Sequence, residues 1–185
     1  MADRGPDQRR TLLEAASFAA RAHRHQLRKD GQTPYAAHPF RVCLVVRHVF
    51  GIDDPEVLTT ALLHDTIEDT TTDFDDLEEK FGARIAGWVG ALSKDMRRPD
   101  AEREAAYMST LAAGDPAVKI VKLADIYDNL TDSRHLSPAA RRRTAERSRK
   151  YLAAVDANLP DIARRPMQLV RDLLDQFVDS DLSDT

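Results

Sequence analysis

The property that most limits what this chain can fold into is the recurrence of apolar residues three and four positions apart, in segments almost free of glycine. Leu12, Ala16, Ala19 and His23 share one helical face, which predicts a helix over about residues 8–27. The chain holds only seven glycines in 185 residues, and no alternating apolar run bounded by turn residues argues for a strand. Pro39 suits a first helical turn, where its missing N–H costs nothing, so a second helix is expected over 39–50, ending at Gly51. "DDPEVLTTALLHDTIEDT" opens with acids and a proline and predicts a helix that continues through its charged end. "TDFDDLEEKFG" reads as a short helix closed by Gly82, followed by helices over 83–93, 101–113, 116–131, 138–158 and 160–178. The expectation is an all-α, single-domain bundle over 9–178, with a flexible N-terminus at 1–8 and a frayed acidic tail at 179–185. No internal repeat, linker or composition shift marks a second domain.

A net charge of −4 removes the global electrostatic case for nucleic-acid binding, so a polyphosphate ligand has to be attracted locally. The single cysteine, Cys43, lies in the apolar stretch "RVCLVV"; it excludes a disulfide framework and reads as a reduced core residue. No apolar run approaches the roughly 20 residues that a membrane-spanning helix needs, and "MADRGPDQRR" is too polar for a signal peptide. The expected setting is the cytoplasm, with no membrane partner and a homo-oligomer left open.

Chemistry concentrates at "HDTIED", residues 64–69, at the end of the apolar run "VLTTALL". On a continuous helix His64 and Glu68 are four apart, as are Asp65 and Asp69, so two adjacent stripes line one cleft. Like charges beside a core repel one another and are costly to desolvate unless a cation compensates them. A divalent metal is the economical explanation, and histidine nitrogen with carboxylate oxygen suits Mn, Fe or Zn better than calcium. The alternative is a solvated acidic turn. "VKIVKLADIYDNL" places Asp125 at the edge of another apolar run, with Asn129 one turn later on the same face. His38, at the head of its helix, supplies a second imidazole.

The stretches "RKDGQTPYAAHP", "ALLHDTIEDT", "FGARIAGWV" and "VKLADIYDNL" together resemble the HD-domain hydrolases of the RelA/SpoT group, in register over about residues 9–158. The similarity is closest to the small stand-alone enzymes of the metazoan SpoT homologue type. It implies a helical HD-domain bundle with one metal ion, Mn, in a central cleft, held by His38, His64, Asp65 and Asp125. Glu68 and Asp69 match the acid pair that the family places around the attacking water. The implied activity is hydrolysis of the 3′-diphosphate of ppGpp or pppGpp to GDP or GTP and pyrophosphate. Long relatives add a synthetase and regulatory domains for which no residues remain here, so degradation without synthesis is expected. "DIYDNL" departs from the "DRLHNM" form of the long enzymes at Tyr127 and Asp128, a difference expected to bear on selectivity and not on the metal.

For the substrate, Arg28 and Lys29 match a basic pair of the family, and cations near a metal suit a diphosphate or a base. Asn129, Lys94 and Tyr151 are further candidate contacts, while Tyr35 reads as wall or core. Six basic residues from Arg141 to Lys150, against Glu146 alone, form either a phosphate-facing wall or a solvated helix face. Competing functions are the same metal site acting on an adenine alarmone or on the 2′-phosphate of NADPH, and a non-catalytic nucleotide-binding module. A nucleic-acid phosphodiesterase is disfavoured by the acidic balance and the lack of an aromatic stacking stripe.

Overall fold

The computed structural model describes residues 6–133 and 135–183. Among these the regular structure is helical: α1 (Pro6–Ala22), α2 (Ala37–Leu44) prolonged by a π-helical stretch (Val45–Val49), α3 (Pro55–Leu63), α4 (Thr66–Asp69), α5 (Phe74–Phe81), α6 (Ala83–Leu92), α7 (Asp100–Ala113), α8 (Pro116–Thr131), α9 (Pro138–Asp156) and α10 (Asp161–Ser183). The only β-type pairing among the described residues is an isolated bridge between Leu27 and Pro34, which closes the loop from α1 to α2.

Two helices carry most of the burial. In α3, all residues from Val57 to Leu63 are buried, and α8 hides twelve residues, including Lys119, Lys122, Asp125 and Asp128. Both start with an aspartate cap followed by proline: Asp54 accepts the N–H groups of Glu56 and Val57, and Asp115 accepts that of Ala117. The cap satisfies orphan donors, and the proline sits where no donor is needed. One apolar cluster gathers α8 with α2, α7, α9 and α10; a second joins α1, α3, α5 and α6.

Several boundaries differ from the sequence expectation for local reasons. The first helix ends at Ala22, because residues His23–His25 turn into the loop that carries Arg28 and Lys29. α2 begins at Ala37, two residues early, and from Val45 its bonds widen, with Phe50 N–H donating to Val45 O and Ile52 N–H to Val46 O. Gly51, at φ +72°, ends that stretch as expected. The helix expected to run through the charged cluster breaks at His64 and Asp65 and restarts as α4. α10 continues to Ser183, so the segment expected as a frayed tail is helical to that point; residues 184–185 lie outside the described residues. Of the expected flexible N-terminus, residues 1–5 lie outside the described residues, and Pro6 already opens α1.

Candidate metal and phosphohydrolase site

The break after α3 shapes the site. His64 sits at the C-cap of α3, and its Nδ1 lies 2.8 Å from Ala61 O. A carbonyl oxygen only accepts, so Nδ1 carries a proton, and in the neutral imidazole the lone pair is on Nε2. That Nε2 is buried and, among the described residues, makes no hydrogen bond of good geometry, although Asp65 Oδ2 lies within ion-pair distance. A buried polar atom without such a bond is rare and calls for a partner. His38, in the first turn of α2, brings its Nε2 to 3.3 Å from both Asp65 Oδ2 and Asp125 Oδ1. Asp65 Oδ2 is 3.1 Å from His64 Nε2.

His38, His64 and Asp65 offer ligand atoms within 4.8 Å of one another, a spacing one ion can bridge. Asp125, the fourth expected ligand, is adjacent, with Oδ1 4.0 Å from His64 Nε2. Its oxygens are also engaged, by Lys122 Nζ at 2.8 Å and by Asn129 Nδ2 at 2.5 Å. Without a cation both imidazoles are pushed toward the charged form. Burial alone would lower the pKa of His38, but its contacts with Asp125, Asp128 and Asp65 outweigh that and raise it; Asp65 does the same for His64. The cluster therefore demands positive charge, and a divalent ion on deprotonated imidazoles supplies it, so these residues fit a metal.

The α4 turn places the two remaining acids beside the ligands. Glu68 Oε2 accepts the Lys94 backbone N–H at 2.8 Å, and burial raises the pKa of Glu68. Asp69 is raised too, first by burial and then by the charge of Asp65. The Tyr35 hydroxyl bridges Asp65 Oδ2 at 2.7 Å and Asp69 Oδ2 at 2.8 Å, so the residue read as wall or core ties a ligand to an acid.

All eleven residues singled out from the sequence line one cleft of about 350 Å³. Their surroundings differ from expectation. Arg28 is pinned, donating to Asp132 at 2.9 Å and to Asn129 at 3.2 Å. Lys94 is paired with Glu104 at 3.0 Å and lies over the rings of Tyr107 and Tyr151. Among the described residues Lys29 has no carboxylate partner; burial and then Arg147, Arg28 and Arg143 lower its pKa. An anion entering there relieves that repulsion. Lys122, which sequence reading passed over, is buried beside the Tyr151 ring, and Asp125 holds it charged despite burial. Asp128, set apart from the metal in the sequence reading, lies 2.7 Å from His38 Nδ1. The signal available for both was a charged residue on the buried face of a strongly apolar helix.

Helices converging on a buried histidine and aspartate centre define an HD-type protein. Residues 15–158 match the HD domain family, and the chain belongs to it. Within the family it is similar to guanosine-3′,5′-bis(diphosphate) 3′-pyrophosphohydrolase MESH1 of Homo sapiens, 45% identical over 128 residues that cover 69% of this chain and 72% of the relative. The MESH1 protein of Danio rerio is 42% identical over 141 residues, 76% of this chain and 77% of that one. The solved structure of a metazoan ortholog of SpoT that hydrolyzes ppGpp superposes with a TM-score of 0.81 at 26% identity, covering 95% of this chain and 98% of the other.

Proposed function

We propose that this chain is a metal-dependent 3′-pyrophosphohydrolase that converts ppGpp or pppGpp to GDP or GTP and pyrophosphate. The observation that carries the reading is the buried His64 Nε2, which makes no hydrogen bond of good geometry among the described residues and lies with His38 and Asp65 at a spacing one ion can bridge, beside two acids of raised pKa. The relatives named for this reaction supply the substrate class.

In this reading His38, His64, Asp65 and Asp125 hold one divalent ion, manganese. When bound, such an ion polarises a phosphoryl oxygen and acidifies a water. Glu68, fixed by the Lys94 N–H, takes the proton from the attacking water. The water oxygen bonds to the phosphorus attached to the ribose 3′-oxygen, the bond between that phosphorus and O3′ breaks, and pyrophosphate departs. Asp69, held by Tyr35, orients the water or hands a proton to O3′. Lys29, Arg28 and Asn129 receive the nucleotide, with Lys94 and Tyr151 lining the same cleft.

Residues 9–178 act as one catalytic domain in this reading. The cytoplasm suits it: burial pushes the Cys43 thiol up to about 11, which makes it inert, and no helix among the described residues is long and apolar enough to cross a membrane.

The test is product analysis of the manganese-loaded protein with ppGpp, its adenine counterpart and NADPH in separate reactions, with Asp125→Asn as the control. Pyrophosphate from ppGpp, absent in the variant, is expected. Release of phosphate from NADPH alone would transfer the site to a 2′-phosphatase, and no product from any of the three would leave a binding module.

A further inference from the structure

Asp128 is 3% exposed and lies among more cationic partners than one carboxylate needs. Arg41 grips it with two nitrogens, Nε at 2.6 Å and Nη2 at 3.1 Å. Arg28 Nη2 stands 3.9 Å away. Asp132 then accepts from Arg41 at 2.7 Å and from Arg28 at 2.9 Å, closing a network of two acids and two guanidinium groups. A carboxylate already gripped by an arginine fork is compensated for its burial. Asp128 nevertheless turns Oδ2 onto His38 Nδ1 at 2.7 Å.

The consequence falls on the opposite ring nitrogen. An ionised carboxylate only accepts, so Nδ1 keeps its proton against Asp128, and in the deprotonated imidazole that binds a metal the lone pair is on Nε2, the atom 3.3 Å from both Asp65 and Asp125. His64 obtains the same tautomer from a backbone carbonyl. His38 depends on a side chain, and that side chain is anchored through Arg41, Asp132 and Arg28 to the loop carrying Lys29.

We propose that Asp128 is a positioning residue of the metal centre: it fixes the ring and tautomer of His38 so that Nε2 faces the cation. The inference rests on the metal reading above. Partners of this kind on ligating histidines typically control metal affinity by about 10- to 100-fold.

The experiment measures manganese affinity calorimetrically for the full chain and its variants, the absorption spectrum of the cobalt-loaded proteins, and melting in chelator and in excess metal. Asp128→Ala should weaken manganese binding about 10- to 100-fold, change the cobalt spectrum and shrink the metal-induced rise in melting temperature. Asp128→Asn, whose amide oxygen still accepts from Nδ1, should recover most of the affinity. Arg41→Met breaks the same network without touching His38; it should lower the melting temperature of the metal-free chain and leave affinity within about threefold. If Asp128→Ala does not fold, the double variant Asp128→Ala/Arg41→Met, which strands no guanidinium against the missing carboxylate, carries the same expectation as Asp128→Ala. Affinity within about twofold of wild type in the Asp128→Ala background would overturn the proposal. So would an equal loss in Arg41→Met, since general packing would then be the cause. A wild-type chain that binds no manganese would overturn the metal reading itself, an outcome separate from either of these.

Discussion

Lys119 links the scaffold to the site, and replacing it with methionine has a cost that can be worked out. Its ammonium, on a residue 1% exposed, donates to carbonyls at the ends of two helices: Ala112 O at 3.0 Å, Val155 O at 3.3 Å, and the oxygens of Ala157 and Asn158. Those ends belong to α7 and α9, which carry Tyr107 and Tyr151 of the cleft wall. Ala157 and Asn158 are exposed, so water can replace the lysine there; Val155 is buried and Ala112 half-buried. Methionine fills the channel but leaves those last two acceptors short of a donor, at about 1–3 kcal/mol each. Releasing a buried ammonium returns part of this, which leaves a net loss of about 2–4 kcal/mol. At about 2–4 °C per kcal/mol for a chain of this size, the melting temperature should fall by about 5–15 °C. Thermal unfolding followed by circular dichroism, in chelator so that metal plays no part, reads the value. A variant that melts within about 2 °C of wild type, or above it, would refute the reasoning and show that an apolar side chain serves equally well at this junction.

The acids of the α4 turn separate turnover from metal binding. Glu68→Gln keeps an oxygen for the Lys94 N–H and lies outside the His38, His64 and Asp65 group, so manganese should remain bound while turnover drops by about 10²- to 10⁴-fold; more than a tenth of wild-type activity would exclude Glu68 as the base. In the metal-free chain burial raises the Glu68 pKa, so its carboxyl titration, followed by NMR in chelator, should lie above that of an ordinary glutamate, and a value at or below the ordinary one would contradict this. Tyr35→Phe removes the hydroxyl between Asp65 and Asp69, a bond to charged acceptors worth about 1.5–3 kcal/mol, and should lower kcat by about 10- to 100-fold with little change in KM; the same loss on top of Asp69→Asn would show that Tyr35 does not act through Asp69. His38 and His64 have raised pKa values without metal, so their share of the metal-free chain's stability is present below about pH 6.5 and lost as pH rises through the folded values. Metal must displace those protons, so its stabilising effect should grow from pH 6 to pH 8, and a metal-induced melting shift that shrinks over that range would exclude both imidazoles as ligands.

Much of this architecture is legible in the sequence because its signals are local. The aspartate and proline pairs at Asp54 and Asp115 mark where α3 and α8 begin, and the apolar spacing from Ala117 to Leu130 marks a helix buried nearly all round. The break at His64 and Asp65 is not legible, since the apolar stripe keeps its period up to the break and the bond that turns the chain, His64 Nδ1 to Ala61 O, comes from a side chain that also suits a continuous helix. The partners of Tyr35, which reads as wall or core, and of Asp128, set apart from the metal, are hidden for a different reason. Tyr35 meets Asp65 thirty residues away, and Asp128 meets His38 ninety residues away, so no spacing rule within one helix brings them together. Arg28 reads as a substrate contact in the sequence, and its pinning by Asn129 and Asp132 is hidden there because those residues lie at the end of a helix about a hundred residues later.

The most direct test of the central claim is hydrolysis of ppGpp by the manganese-loaded protein in heavy-oxygen water, with both products weighed by mass spectrometry. Attack by water at the phosphorus next to the ribose places one heavy oxygen in pyrophosphate and none in GDP. Label in the guanine nucleotide, or release of single phosphates in place of pyrophosphate, would contradict a site in which Glu68 directs water at the 3′-diphosphate.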